Sequence, residues 1–170
     1  MVDLLLSVEN VIYMEHESPV EFLVSAERVD AHGGIADCKS AKIALDTDLA
    51  GRADAFNPAE LFLAAIAACM LKGIERVMPM LKFQLRSVAV RLTGRRQDAP
   101  PKMIGVEYEL WVETEEPERR LDLLHRNVRN FGTIFNTVLA ACPLEGTIHR
   151  GIPPWRREAT RGADSLEGRR

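Results

Sequence analysis

A chain of 170 residues, 46% hydrophobic and 28% charged, has the composition of a single globular domain with a sizeable core. Its formal net charge of −3 supplies no basic field for nucleic acid or an anionic membrane surface. Three cysteines, an odd number, do not make a disulfide-stapled secreted fold, and no apolar run reaches the length of a membrane span. The N-terminus carries Asp3 and too short an apolar run for a secretory signal, so the expected setting is a reducing cytoplasm.

In chain order, residues 7–15 and 19–29 mix β-branched and aromatic residues with polar ones and read as strands. Asp30 to Gly34 ends in paired glycines and suits a hairpin turn, followed by a third strand over 35–45. Residues 46–56 are polar and turn-like. A long helix then runs from Asn57 to about Met78. Asn57 stands at the N-cap, Pro58 at the first helical position, and Glu60 three residues after the cap, the spacing of a capping box. From Leu61 to Leu71 no residue is polar, so this helix is expected to be enclosed on every side. The small residues of that run, Ala64, Ala65, Ala67 and Ala68, suit close packing between elements or against a second copy.

Pro79 is expected to break the helix. Residues 83–95 and 104–112 both alternate apolar and polar side chains and predict a long antiparallel pair with one covered face, joined by a loop over 98–102. Pro117 opens a second, amphipathic helix through about Asn130, with Leu121, Leu124 and Val128 on one stripe, and Gly132 stops it. A short helix over 133–141 and a closing strand over 145–152 complete a domain of residues 1–152. Residues 153–170 are polar and aperiodic, the pattern of a disordered tail with one stray aromatic, Trp155. Strands grouped apart from helices give an α+β class with antiparallel sheets, and the all-apolar helix calls for a dimer to cover it.

Cys69, in the middle of the long helix, is the residue whose setting carries chemistry. A free cysteine commonly behaves as a small hydrophobe, and reactivity requires a nearby cation or hydrogen-bond donor to favour the thiolate. Lys72 and Arg76 fall on roughly the same helix face as Cys69. Glu60, nine residues earlier, falls on roughly the opposite face, where its capping role accounts for it. Arg28, at the end of the second strand, is a free candidate partner for a thiolate. Cys38 and Cys142 have no metal-ligand spacing with each other or with any histidine. No phosphate loop or nucleophile elbow is present, so no cofactor or metal is expected.

Asn57-Pro58-x-Glu60-Leu61 followed by Ala67-Ala68-Cys69, together with the order of elements from residue 8 to 150, resembles the OsmC/Ohr superfamily of thiol-dependent hydroperoxide reductases. The resemblance implies an OsmC-like fold, an intertwined cytoplasmic homodimer with the long helices at its centre, and Cys69 as peroxidatic thiol. It further implies a strand arginine and a helix glutamate that organise the thiolate, for which Arg28 and Glu60 are the candidates, and a second cysteine that resolves the oxidised thiol. In the hydroperoxide-resistance branch the glutamate stands ten residues before the cysteine, where this chain has Ala59. Cys142-Pro143-Leu144 looks locally like the family's resolving turn, but the segment Phe131 to Asn136 fits the element order better and places Gly132 at the resolving position. Oxidised Cys69 would then need Cys142 or an external dithiol. The expected function is reduction of organic hydroperoxides; the alternative is a non-catalytic dimer that binds an apolar small molecule or a protein.

Overall fold

The structure, a computed structural model, describes residues 19–156. It is built from two three-stranded sheets and three helices in the order β1 (Ser25–Arg28), β2 (Gly33–Cys38), β3 (Ala41–Asp46), α1 (Pro58–Leu81), β4 (Ser87–Asp98), β5 (Pro101–Glu113), α2 (Glu118–Phe131), α3 (Thr133–Leu139) and β6 (Leu144–Arg150). The expected strand over 7–15 lies outside the described residues.

The first sheet is an antiparallel meander, β1-β2-β3. The strand expected over 35–45 proves to be two strands folded on each other at Lys39-Ser40, with Cys38 opposite Ala41. Lys39 takes the left-handed conformation (φ 59°) that such a turn needs, without the glycine that usually announces one. The paired glycines serve another purpose. The turn before them is closed by Asp30, whose carboxylate accepts from the N–H groups of His32 and Gly33 at 2.8 and 2.9 Å, while Gly33 and Gly34 already belong to β2. A Cβ on Gly34 would stand 2.7 Å from the carbonyl oxygen of Glu27, so the close approach of β1 requires glycine there. Neither the helices nor the second sheet packs extensively on this meander, and Val20, Phe22, Leu23 and Val24 ahead of it are largely exposed.

The capping box of α1 is present in full: Glu60 N–H donates to Asn57 Oδ1 at 3.0 Å and Asn57 N–H donates to Glu60 Oε2 at 2.9 Å. The helix does not stop at Met78. Pro79 lies in its last turn, and the helix ends at Lys82, whose left-handed backbone (φ 50°) reverses the chain. Arg120 of α2 donates to the carbonyl oxygens of Leu81 and Lys82, satisfying acceptors that a helix end leaves open. Ile66, Met70, Ile74 and Val77 form the buried stripe, packed with Val106, Tyr108, Leu110 and Val112 of β5, Leu121, Leu124 and Val128 of α2, and Phe135 and Val138 of α3. The other face is open in the single chain: Ala65, Ala68, Leu71 and Lys72 are exposed, against the expectation of a helix enclosed on every side.

In the second sheet β5 is the middle strand. β4 pairs with it antiparallel, as expected, but β6 runs parallel to it, with Val106 opposite Leu144 and Val112 opposite Arg150. This corrects the all-antiparallel reading. α2 and α3 form a crossover that returns the chain to the same end of β5, and a crossover of that length is what a parallel neighbour requires. The chain after β6 holds on to the sheet: Pro153 is buried and the Trp155 ring lies 3.8 Å from the Arg91 guanidinium, so Trp155 is not a stray aromatic.

Candidate functional site

Cys69 sits about three turns into α1, half-buried, one position before the core residue Met70. The opposing surface is the elbow between α2 and α3. A Cβ built on Gly132 would lie 3.5 Å from the Cys69 sulfur, 3.2 Å from the carbonyl oxygen of Val128 and 2.8 Å from Cβ of Phe135. The sulfur therefore faces the one residue of the elbow that has no side chain. Phe131 and Ile134 flank it, 42% and 39% exposed, and give the elbow an apolar rim open to solvent.

The other expected site residues do not gather around this thiol within one chain. Glu60 is held in the capping box, about 13 Å up the helix axis from Cys69 at 1.5 Å per residue. Arg28 is exposed on β1, opposite Gly34, and makes no ion pair among the described residues. Cys142 is buried at the end of α3, where its N–H donates to the Val138 carbonyl oxygen and its side chain joins the core. Cys38 lies at the end of β2, and all three cysteines are free. Of the two cations on the Cys69 face, Lys72 is exposed and Arg76 lies over the Phe131 ring, 5.5 Å from its centroid. Arg76 thereby links α1 to the rim of the elbow.

Two polar clusters went unread in the sequence. Tyr108, on the core face of β5, and His125, on the inner side of α2, share a hydrogen bond of 2.6 Å. Burial lowers the His125 pKa, with Arg129 adding to the effect against a weaker pull from Asp122. Burial also raises the Tyr108 pKa, against a smaller opposing effect of Arg129. Burial thus favours the neutral form of both groups, and the hydrogen bond between the phenol and the imidazole runs in the direction that the His125 tautomer sets. Tyr108 also meets Phe135 edge-on at 6.0 Å, which places this pair behind the elbow. The signal was available: a tyrosine and a histidine each occupy a position that the local period assigns to the core.

The second cluster lies on the outer face of the second sheet, where Trp111 stacks on His149 at 4.5 Å and meets Trp155 edge-on at 6.2 Å. Beside it a groove of about 480 Å³ is lined by Arg91, Thr93, Glu107, Glu109 and Thr147. These residues alternate with the core-facing ones of β4 and β5, so the sheet separates the groove from Cys69. Among the described residues, no three His, Cys, Asp or Glu side chains are gathered as metal ligands, and no helix is long and apolar enough to cross a membrane.

The fold is shared with solved structures of low sequence identity. An OsmC-like protein from Mycoplasma pneumoniae superposes with a TM-score of 0.72 at 16% identity, over 79% of this chain and 100% of that one. An organic hydroperoxide resistance protein OsmC from Legionella pneumophila gives 0.63 at 19% identity, over 78% and 98%. An organic hydroperoxide resistance protein from Elizabethkingia anophelis gives 0.62 at 14%, over 79% and 100%. A search of curated proteins by sequence gave no match. The family described as OsmC-like protein matches residues 51–153, from the loop before α1 to the buried Pro153. The chain belongs to the OsmC-like protein family.

Proposed function

We propose that the chain is a thiol-dependent reductase of organic hydroperoxides, acting as a homodimer in a reducing cytoplasm, with Cys69 as the attacking thiol. The observation that carries this is the setting of Cys69: a half-buried sulfur facing an apolar, solvent-open elbow at Gly132. Two of the solved proteins that share the fold are named for organic hydroperoxide resistance, which fits that chemistry. The Cys69 thiolate attacks the outer peroxide oxygen, the O–O bond breaks, an alcohol leaves after taking up a proton, and the sulfur becomes a sulfenic acid. The rim of Phe131 and Ile134 favours an apolar substituent on the peroxide.

A second copy of the chain supplies what one chain leaves undone. The open face of α1 at Ala65, Ala68 and Leu71 and the exposed Val20, Phe22, Leu23 and Val24 provide apolar surface for it. In that assembly the partner's Arg28, free of any ion pair among the described residues, is the group assigned to hold the thiolate. Glu60 stays with its cap.

The test compares wild type with Cys69→Ser for consumption of an organic hydroperoxide, with a sulfenic-acid trapping reagent read by peptide mass. Trapping at Cys69 and loss of turnover in the variant are expected. Unmodified Cys69, at a peroxide level that oxidises a free thiol, would overturn the reading and leave a dimer that binds an apolar ligand.

A further inference from the structure

We propose that the crevice between α2 and α3 is a binding site for a small organic carboxylate, held by Arg126 and Arg129. The site is separate from Cys69 and does not depend on the chemistry of that thiol.

Arg52, Arg86, Arg95, Arg96, Arg120 and Arg150 each form an ion pair with a carboxylate. Arg126 and Arg129 form none among the described residues, although they stand three positions apart on α2, where side chains are neighbours. Neither guanidinium can shed its proton to relieve the repulsion between them, so an anion is what would balance the pair. Both arginines line a crevice of about 160 Å³, together with Asn130, Phe135, Asn136 and Leu139. No carboxylate of the chain lines it. The crevice is fixed by the fold, since Asn136 Nδ2 donates to the Asn130 carbonyl oxygen at 3.1 Å and ties α3 to α2.

Arg129 is half-buried and lies over the Phe135 ring, 5.6 Å from its centroid, so its donor fork is positioned before a ligand arrives. Its charge is felt in the interior: after burial, Arg129 is the next cause of the lowered His125 pKa. A guanidinium matches the two oxygens of a carboxylate with two parallel N–H groups, and the Asn130 amide adds a neutral donor. Phe135, 1% exposed, and Leu139, 45% exposed, give the same crevice an apolar wall for a hydrocarbon substituent. A bare inorganic anion would leave that wall unused. The volume, about 160 Å³, is well below the roughly 300–1,000 Å³ of a drug-sized site and restricts the ligand to a small molecule.

The experiment titrates the full-length protein with benzoate and, at matched ionic strength, with inorganic phosphate. Calorimetry reads the affinity, and NMR of the His125 imidazole reads the place. Benzoate is expected to bind saturably and more tightly than phosphate. It should also raise the His125 pKa, because a bound carboxylate offsets the charge of Arg129, while Tyr108 and Asp122, the other groups that act on this imidazole, stay as they are. Arg126→Gln and Arg129→Gln should each weaken benzoate binding at least about tenfold, the loss of a charge-assisted hydrogen bond. Arg119→Gln, exposed on the same helix but outside the crevice, should bind as wild type does. Leu139→Ser should weaken benzoate roughly fivefold and leave phosphate unchanged. Arg126 is exposed, so its replacement spares the fold and decides the question even if Arg129→Gln disturbs the stack on Phe135. Absence of saturable binding, equal benzoate affinity in wild type and both arginine variants, or phosphate bound as tightly as benzoate would each overturn the proposal.

Discussion

Glu60 is the residue whose two roles can be separated most cleanly. Its carboxylate accepts from the Asn57 N–H at 2.9 Å, the reciprocal half of the capping box, and it stands in the first turn of α1 where negative charge is favourable. Glu60→Ala removes both contributions. N-cap substitutions cost about 0.5–2 kcal/mol, and the exposure of Glu60 puts the expected loss near the middle, about 1 kcal/mol. For a chain of this length that lowers the melting temperature by roughly 2–4 °C. Glu60→Gln keeps an acceptor of the same reach and should recover most of the loss. Calorimetry reads the stability, and peroxide consumption reads the chemistry on the same samples. Because about 13 Å of helix separates Glu60 from Cys69 within the chain, turnover of Glu60→Gln should stay within about twofold of wild type. A fall of roughly a hundredfold, about 2.7 kcal/mol of barrier, with the melting temperature unchanged, would refute the capping account and make Glu60 part of the reacting site.

Three further outcomes are expected. Tyr108→Phe deletes the hydroxyl that hydrogen-bonds His125 and should destabilise the fold by roughly 1–2 kcal/mol in chemical denaturation, the cost of leaving a partly buried imidazole nitrogen unmatched. The pH profile should carry the mark of His125. Its folded pKa lies below the ordinary 6.5, so above that pH both states are neutral and nothing is gained or lost. As pH falls through 6.5 the unfolded chain takes the proton first, and stability declines until the folded pKa is reached. His125→Gln should remove this decline, while the lowered carboxyl of Glu116, held down mainly by its hydrogen bond from Arg120, acts only below about 4.5. Trp155→Ala should release the Arg91 stack at a cost of roughly 0.5–1 kcal/mol and change the fluorescence of Trp111, its edge-on neighbour.

How much of this could be read in advance depended on how local the cause was. The start of α1 was legible because Asn57, Pro58 and Glu60 specify it among themselves. Its end was not: Pro79 forfeits one backbone hydrogen bond in the last turn, and Arg120, 38 residues beyond Lys82, ties down the carbonyls that follow. The hairpin between β2 and β3 was hidden because Lys39 adopts a positive φ without being glycine. The direction of β6 was equally invisible. Alternation shows which face of a strand is buried, whereas α2 and α3 decide from which end it enters the sheet. In the site, the resemblance placed Gly132 at the resolving position, and the structure sets it against Cys69. The expected pairing of Arg28 with that thiol is not made within one chain, since Arg28 stands on a sheet on which neither α1 nor the elbow packs extensively.

The parallel seam between β5 and β6 also has a consequence for how the chain is made. β5 is complete at Glu113, but its second neighbour ends only at Arg150, 37 residues later. At about 5–20 residues per second, the ribosome leaves the edge of β5 without its final strand for roughly 2–7 s. During that interval the nascent chain presents unpaired N–H and C=O groups along a strand rich in Val, Tyr, Leu and Trp, a template for other chains. A stop codon anywhere before Leu144 would make that interval permanent, so shortened products of this gene are expected to accumulate as aggregates while the full-length chain stays in solution.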